Sequence, residues 1–155
     1  LFAGRYDEAI DRYQQLIDRA PQFPVAHVFM GLVHELNGDI DAALNAHQQA
    51  LQLGGRNPLW LAECARAHAL AGHVDETEAL LSDLDALSSQ RYVSPFAVAL
   101  VHVALDQPQR ALALLDEAVT TRDPYLIYLP IHPHLNPLRS DPRFAALLGR
   151  VSLTP

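Results

Sequence analysis

The feature that most restricts what this chain can fold into is a 34-residue period. Gly4, Gly38 and Gly72 are each 34 residues apart, and so are His34, His68 and His102. Pro24 and Pro58 keep the same step, as do Ala9 and Ala43, with Ala111 two steps beyond Ala43. Landmarks of four residue types returning at one interval mean that one supersecondary unit is used again and again. Each copy buries its apolar face against the next, because a single unit is too small to bury it alone.

Between the landmarks the apolar spacing is helical. Ala9, Ile10, Tyr13, Leu16 and Ile17 fall at the three-and-four steps of one helical face, which predicts a first helix over about Tyr6 to Ala20. Pro24, Pro58, Pro95 and Pro108 open helices and Gly38, Gly54 and Gly72 close them, as helix-terminus chemistry favours. The pattern predicts helices over about Pro24 to Asn37, Ile40 to Leu53, Pro58 to Ala71, Val74 to Leu87, Pro95 to Leu105 and Pro108 to Thr121. Asp106 stands where the earlier turns carry Gly38 and Gly72, so that turn is expected to be less regular. After Thr121 the period fades. A short helix is expected over Tyr125 to Leu129, then a stretch punctuated by Pro130, Pro133 and Pro137, then a last helix over about Pro142 to Val151.

Composition removes several function classes. The chain has 155 residues, half of them apolar, enough for one domain with a core. Its net charge of −7 opposes contact with phosphate backbones, so no direct nucleic-acid binding is expected. All eleven basic residues are arginine, which excludes a P-loop lysine and a Schiff-base amine. Cys64 is the one cysteine, so no internal disulfide forms, and its place in a helical apolar pattern suits an inert buried thiol. The longest apolar run, Phe96 to Leu105, is too short to span a bilayer. The start, Leu1-Phe2-Ala3-Gly4-Arg5, has neither an initiator Met nor a signal pattern, as expected of a piece of a longer protein.

Small residues recur where paired helices must approach closely: Gly31, Ala65 and Ala99 in the first helix of each unit, then Ala9, Ala43 and Ala111 in the second, with Ala50 and Ala118 further along. With the 34-residue period, these positions resemble the tetratricopeptide repeat (TPR) family. Tyr13 matches an aromatic slot of that family, while His34, His68 and His102 replace its usual tyrosine, and Thr77, Leu16 and Leu84 depart from its small positions. The resemblance implies an all-α fold: a TPR-like right-handed α-solenoid of about three and a half helical hairpins, with an irregular C-terminal capping segment. It divides the chain into a partial repeat over 1–23, repeats over 24–57, 58–91 and 92–121, and a cap over 122–155. Arg122-Asp123-Pro124-Tyr125-Leu126, followed by Asp141-Pro142-Arg143-Phe144, is similar to the end of bacterial repeat modules at the C-terminus of winged-helix regulators, adenylate cyclases and kinases.

Candidate chemistry is sparse. Equivalent histidines in stacked repeats lie roughly 10 Å apart, whereas metal ligands sit about 2 Å from their ion, so His34, His68 and His102 cannot share a metal. They read as half-buried imidazoles hydrogen-bonded at the tip. His132-Pro133-His134 could supply two zinc ligands, but no adjacent cysteine or carboxylate completes the set, and a rigid polar capping loop is the favoured reading of the pair. Asp39 and Asp41 suit a helix N-terminus. No Gly-x-Ser-x-Gly elbow exists. Arg139, Arg143 and Arg150 form a small basic patch, either a solvated face or a contact for an acidic partner.

The resemblance therefore points away from catalysis and from any cofactor or resident metal. It implies a scaffold whose concave groove is lined by Val25, Val28, Leu32, Glu35, Leu59, Ala62, Arg66, Ala69, Phe96, Leu100 and Val103, with Glu35 and Arg66 as its orienting charges. Such a groove receives a peptide or helix from a partner protein, or is filled by the chain's own tail; a metal-dependent enzyme built on His132 and His134 is the remaining alternative. Leu1, Phe2, Tyr13, Leu16 and Ile17 are expected to form a face for self-association into a homo-oligomer. A bacterial signalling or regulatory setting follows from the tail resemblance. The cytoplasm is expected, or the periplasm if a membrane segment precedes this part; no membrane insertion is expected of the part itself.

Overall fold

The computed structural model describes residues 5–152, and every regular element within them is helical. Leu1, Phe2 and Gly4 lie outside the described residues. The order is α1 (Tyr6–Arg19), α2 (Pro24–Asn37), α3 (Ile40–Gly54), α4 (Pro58–Leu70), α5 (Val74–Ser88), α6 (Pro95–Ala104) and α7 (Pro108–Thr121). Two 3-10 turns, Pro124–Tyr128 and Pro133–Leu138, and α8 (Pro142–Ser152) complete it. The expected short helix at Tyr125 is the first 3-10 turn. The sequence pattern does not anticipate the second: Pro137 inside it breaks the α pattern but is compatible with the tighter turn.

Neighbours in sequence pair as helical hairpins, α2 with α3, α4 with α5 and α6 with α7. The hairpins are joined in turn: α4 packs on α3, and the first helices α2, α4 and α6 contact in series. α1 packs on α2 and α8 on α7.

The turns inside these hairpins repeat with the period of the sequence. Asp39, His73 and Gln107 donate their backbone N–H to the carbonyls of His34, His68 and His102, at 2.9, 3.0 and 2.8 Å. One residue earlier, Gly38, Gly72 and Asp106 donate to Glu35, Ala69 and Val103. This paired bonding requires a left-handed residue just past the helix, and Gly38 (φ 84°), Gly72 (φ 77°) and Asp106 (φ 55°) supply it. The Asp106 turn is thus as regular as the other two, against expectation. Aspartate enters the left-handed region at a modest cost, which the two bonds offset.

The small positions are core. Ala43, Ala50, Ala65, Ala99, Ala111 and Ala118 are all fully buried. At Gly31 the reason for a missing side chain is visible: a β-carbon there would sit 2.5 Å from Cε1 of His47, whose ring crosses from α3. Thr77 substitutes for a small residue by turning its hydroxyl back to the His73 carbonyl at 2.7 Å.

The tail is part of the core. Leu129, Leu135, Leu138, Phe144 and Leu147 form one buried cluster with Phe96, Leu100, Leu112 and Leu115 of α6 and α7. Asp123 fixes where the tail departs. Its buried carboxylate accepts from Ser94 Oγ (2.7 Å) and the backbone N–H of Phe96 (3.0 Å) and Tyr125 (2.8 Å), joining the start of α6 to the start of the tail.

Candidate functional site

Two unlike charges on successive first helices meet inside the molecule. Glu35 sits in the last turn of α2, and Arg66 lies 31 residues on, in α4. Arg66 Nε donates to Glu35 Oε2 at 2.8 Å, and His47 Nε2 of α3 lies 2.8 Å from Glu35 Oε1. From the tail, His134 Nε2 approaches Glu35 Oε2 at 3.0 Å, as an ion-pair contact rather than an aligned hydrogen bond. The other end of the guanidinium holds Glu63 of its own helix. Burial alone would raise the Glu35 pKa, but Arg66, His134 and His47 hold it well below the usual carboxylate range. Expected as the charged groups of an open groove, Glu35 and Arg66 are instead sealed, with 6% and 1% of their surface exposed. A buried charge must be paired, and each is the other's partner.

Above this network lies a cavity of about 310 Å³. Val28, Leu32, Leu59, Phe96 and Leu100 of the expected groove line it, so five of the eleven groove residues named from sequence come to one place. Ala62 and Ala69 belong to the core cluster with Leu61 and Ala65, and Val103 packs against the α6–α7–tail cluster. Val25 is half-buried and does not line the cavity. The tail forms the remaining wall with Tyr125, Tyr128 and His132. The tail crosses the expected groove: its leucines pack on α6, and its His134 reaches Glu35 of α2.

Sequence alone offers His132 as part of a rigid polar capping loop or as a zinc ligand. It is 7% exposed, stands edge-on to Phe96 at 6.0 Å, and its Nδ1 has no partner among the described residues. Burial, and then the nearby charges of Arg66 and His134, push its pKa down to about 3. Its ring is therefore neutral at pH 7, with a lone pair to offer. Among the described residues no group of three or more His, Cys, Asp or Glu side chains could hold a metal ion.

The periodic histidines divide. Nδ1 of His102 lies 2.8 Å from Gln107 Oε1, and Nδ1 of His68 lies 3.3 Å from Nδ1 of His73, whereas the buried Nδ1 of His34 has no partner among the described residues. Cys64 is buried, and burial followed by the Glu35 charge raises its pKa to about 11, which leaves it an unreactive thiol. The late arginines are each engaged: Arg139 with Asn136 and the Pro130 carbonyl, Arg143 with Asp141 and Gln109, Arg150 with Asp116.

On α1 no residue is fully buried; Leu16 is 39% exposed, Ile17 is half-buried, and Tyr13 stacks on Phe29 at 5.8 Å. Leu1 and Phe2, placed on the same face by sequence, lie outside the described residues. A larger depression of about 620 Å³ lies between α5 and α7. Its charged groups, Asp85, Arg110 and Glu117, are exposed, and its one buried imidazole, His102, is already hydrogen-bonded.

Sequence patterning does not single out the Glu35–Arg66–Glu63 chain, although a signal for it exists: opposite charges one repeat less one helical turn apart, each set in an apolar helix face. Among the described residues no helix is long and apolar enough to cross a membrane. Compared with known proteins, the chain matches no family model and no curated protein.

Proposed function

We propose that this chain is a non-catalytic interaction module built on a TPR-like right-handed solenoid plan, and that it docks an apolar helix or extended segment of a partner protein across α2, α4 and α6. The observation that carries the reading is the apolar cavity of about 310 Å³ on that face, which remains although the tail forms one of its walls. A fold in water closes such surface unless something else covers it. The three identically bonded turns support the repeat plan. The setting that fits is the C-terminal regulatory part of a larger bacterial signalling or transcription-regulatory protein, acting in the cytoplasm, or in the periplasm if a membrane segment precedes it.

The test is binding of amphipathic leucine-rich peptides, followed by fluorescence anisotropy. Saturable binding that Leu59→Arg abolishes, with the melting curve retained, is the expected result. Absence of binding to the intact protein sinks the proposal.

A second reading is favoured by one specific observation: Leu129, Leu135 and Leu138 seal the α6 end of the groove. On that reading the segment is structural, its tail is the groove's occupant, and copies associate through Tyr13, Leu16 and Ile17 of α1. A mass that rises with concentration, returning to the monomer value in Leu16→Asp, is its expected signature.

A further inference from the structure

We infer that the cavity between α2, α4, α6 and the tail is an anchor site for a lysine side chain of the docked segment, held by aromatic faces and by Glu63. The inference rests on the docking reading above and names the residue that the docked segment inserts.

The walls are the first argument. Tyr13, Phe29, Phe96, Tyr125 and Tyr128 all line the cavity, half of the ten Phe and Tyr in the chain. Aromatic faces carry negative quadrupole charge and attract an ammonium within about 6 Å of the ring centre. They also pack against a methylene stem, and lysine offers a compact ammonium on four carbons.

Charge is the second argument. Glu63 is the lining residue that carries a full charge. Its Oε2 is taken by Arg66, and among the described residues no protein donor reaches Oε1. The one guanidinium of the network stands between two carboxylates, Glu35 and Glu63, so the cavity side retains acceptor capacity. The Tyr125 phenol registers the local field: its pKa is raised by burial first, and then by the carboxylates of Asp123 and Glu63. Arg66 itself is sealed, with its charge directed at Glu35 and Glu63, so an anion finds no free basic group here.

The unpartnered imidazole fixes where in the cavity the cation sits. His132 is more than nine-tenths buried, lines the cavity, and has no hydrogen-bond partner at Nδ1 among the described residues. A neutral ring can accept from an N–H donor. Closer to His132 the charges of Arg66 and His134 oppose a cation, so the ammonium belongs at the Glu63 and tyrosine end. The apolar floor of Val28, Leu32 and Leu100 receives the stem.

The experiment compares helical peptides identical but for one guest position, occupied by lysine, norleucine or glutamate, with n-hexylammonium as the free-amine control. The lysine peptide is expected to bind about tenfold more tightly than the norleucine peptide, with glutamate weakest. Glu63→Gln brings lysine and norleucine within about twofold of each other. Because Glu63 also holds Arg66, Tyr128→Leu serves as a second variant outside the buried network, and it narrows the preference for lysine over norleucine by about threefold to tenfold. If norleucine binds as well as lysine, the cation inference is overturned while the docking reading stands. If no peptide binds, the docking reading falls with it. If n-hexylammonium binds and the lysine peptide does not, a peptide source is ruled out.

Discussion

Arg66 Nε lies 2.8 Å from Glu35 Oε2, and this contact between α4 and α2 is closed to water on both sides. Removing one partner leaves the other charged and buried. Glu35→Ala or Arg66→Ala is therefore expected to cost about 3–5 kcal/mol in urea unfolding. The apolar double variant Glu35→Leu/Arg66→Met is expected to cost much less than the two single changes together, since neither charge is stranded. Additive losses would show that the pair is not coupled.

Acid should loosen the molecule through His132. Its folded pKa, about 3, lies below the ordinary histidine value of 6.5, so the unfolded chain takes up the proton first. The stability it contributes is complete above pH 6.5 and is lost as pH falls toward 3. At pH 5 the loss is ~2 kcal/mol. Glu35, whose pKa is also depressed, adds its loss only in the carboxylate range and in the same direction. Urea midpoints at pH 7 and pH 5 should differ more in the wild type than in His132→Phe, where the remaining difference comes from His68 and His102, whose pKa values burial also lowers.

Gly31 is close-packed against a ring. Gly31→Ala places its methyl carbon 2.5 Å from His47 Cε1 and is expected to destabilise by about 1–3 kcal/mol; Gly31→Leu should do worse. In Gly31→Ala/His47→Ala the clash is gone, although Glu35 loses a partner. A double-mutant cycle then reads a favourable coupling between the two changes. An unchanged melting temperature in Gly31→Leu would contradict the packing described.

Asp106 occupies a left-handed position that Gly38 and Gly72 fill elsewhere. Asp106→Gly removes the steric cost at φ 55° and is expected to stabilise by about 0.5–1 kcal/mol. Calorimetry should show a melting temperature higher by roughly 1–4 °C. A lower value would mean that the aspartate side chain contributes more than its backbone costs.

Much of the helical frame is legible in the sequence because it is local. Pro24, Pro58, Pro95 and Pro108 stand at the first position of the helices they open, and Gly38 and Gly72 just past the helices they close, so capping chemistry alone marks the ends. The small positions are legible for a similar reason: where two helices nearly touch, only a small side chain such as that of Ala65 or Ala99 fits. The site is legible in part. Val28, Leu32, Leu59, Phe96 and Leu100 can be placed together from the period. The residues that close over them cannot, because Tyr125, Tyr128 and His132 arrive from a segment that has left the period. Glu35 and Arg66 mislead for a physical reason: a charge on an apolar helix face signals either an exposed function or a buried pair, and spacing alone does not say which.

The Asp123 carboxylate, tied to Ser94 and Phe96 on one side and to Tyr125 on the other, works as a hinge pin between the last hairpin and the C-terminal tail. A polypeptide stopped at Thr121 would lose that pin along with Leu129, Leu135, Leu138 and Phe144, and the inner surfaces of α6 and α7 would be left wet. The repeat pattern ends at Thr121, but the smallest piece that keeps the last hairpin dry extends into α8.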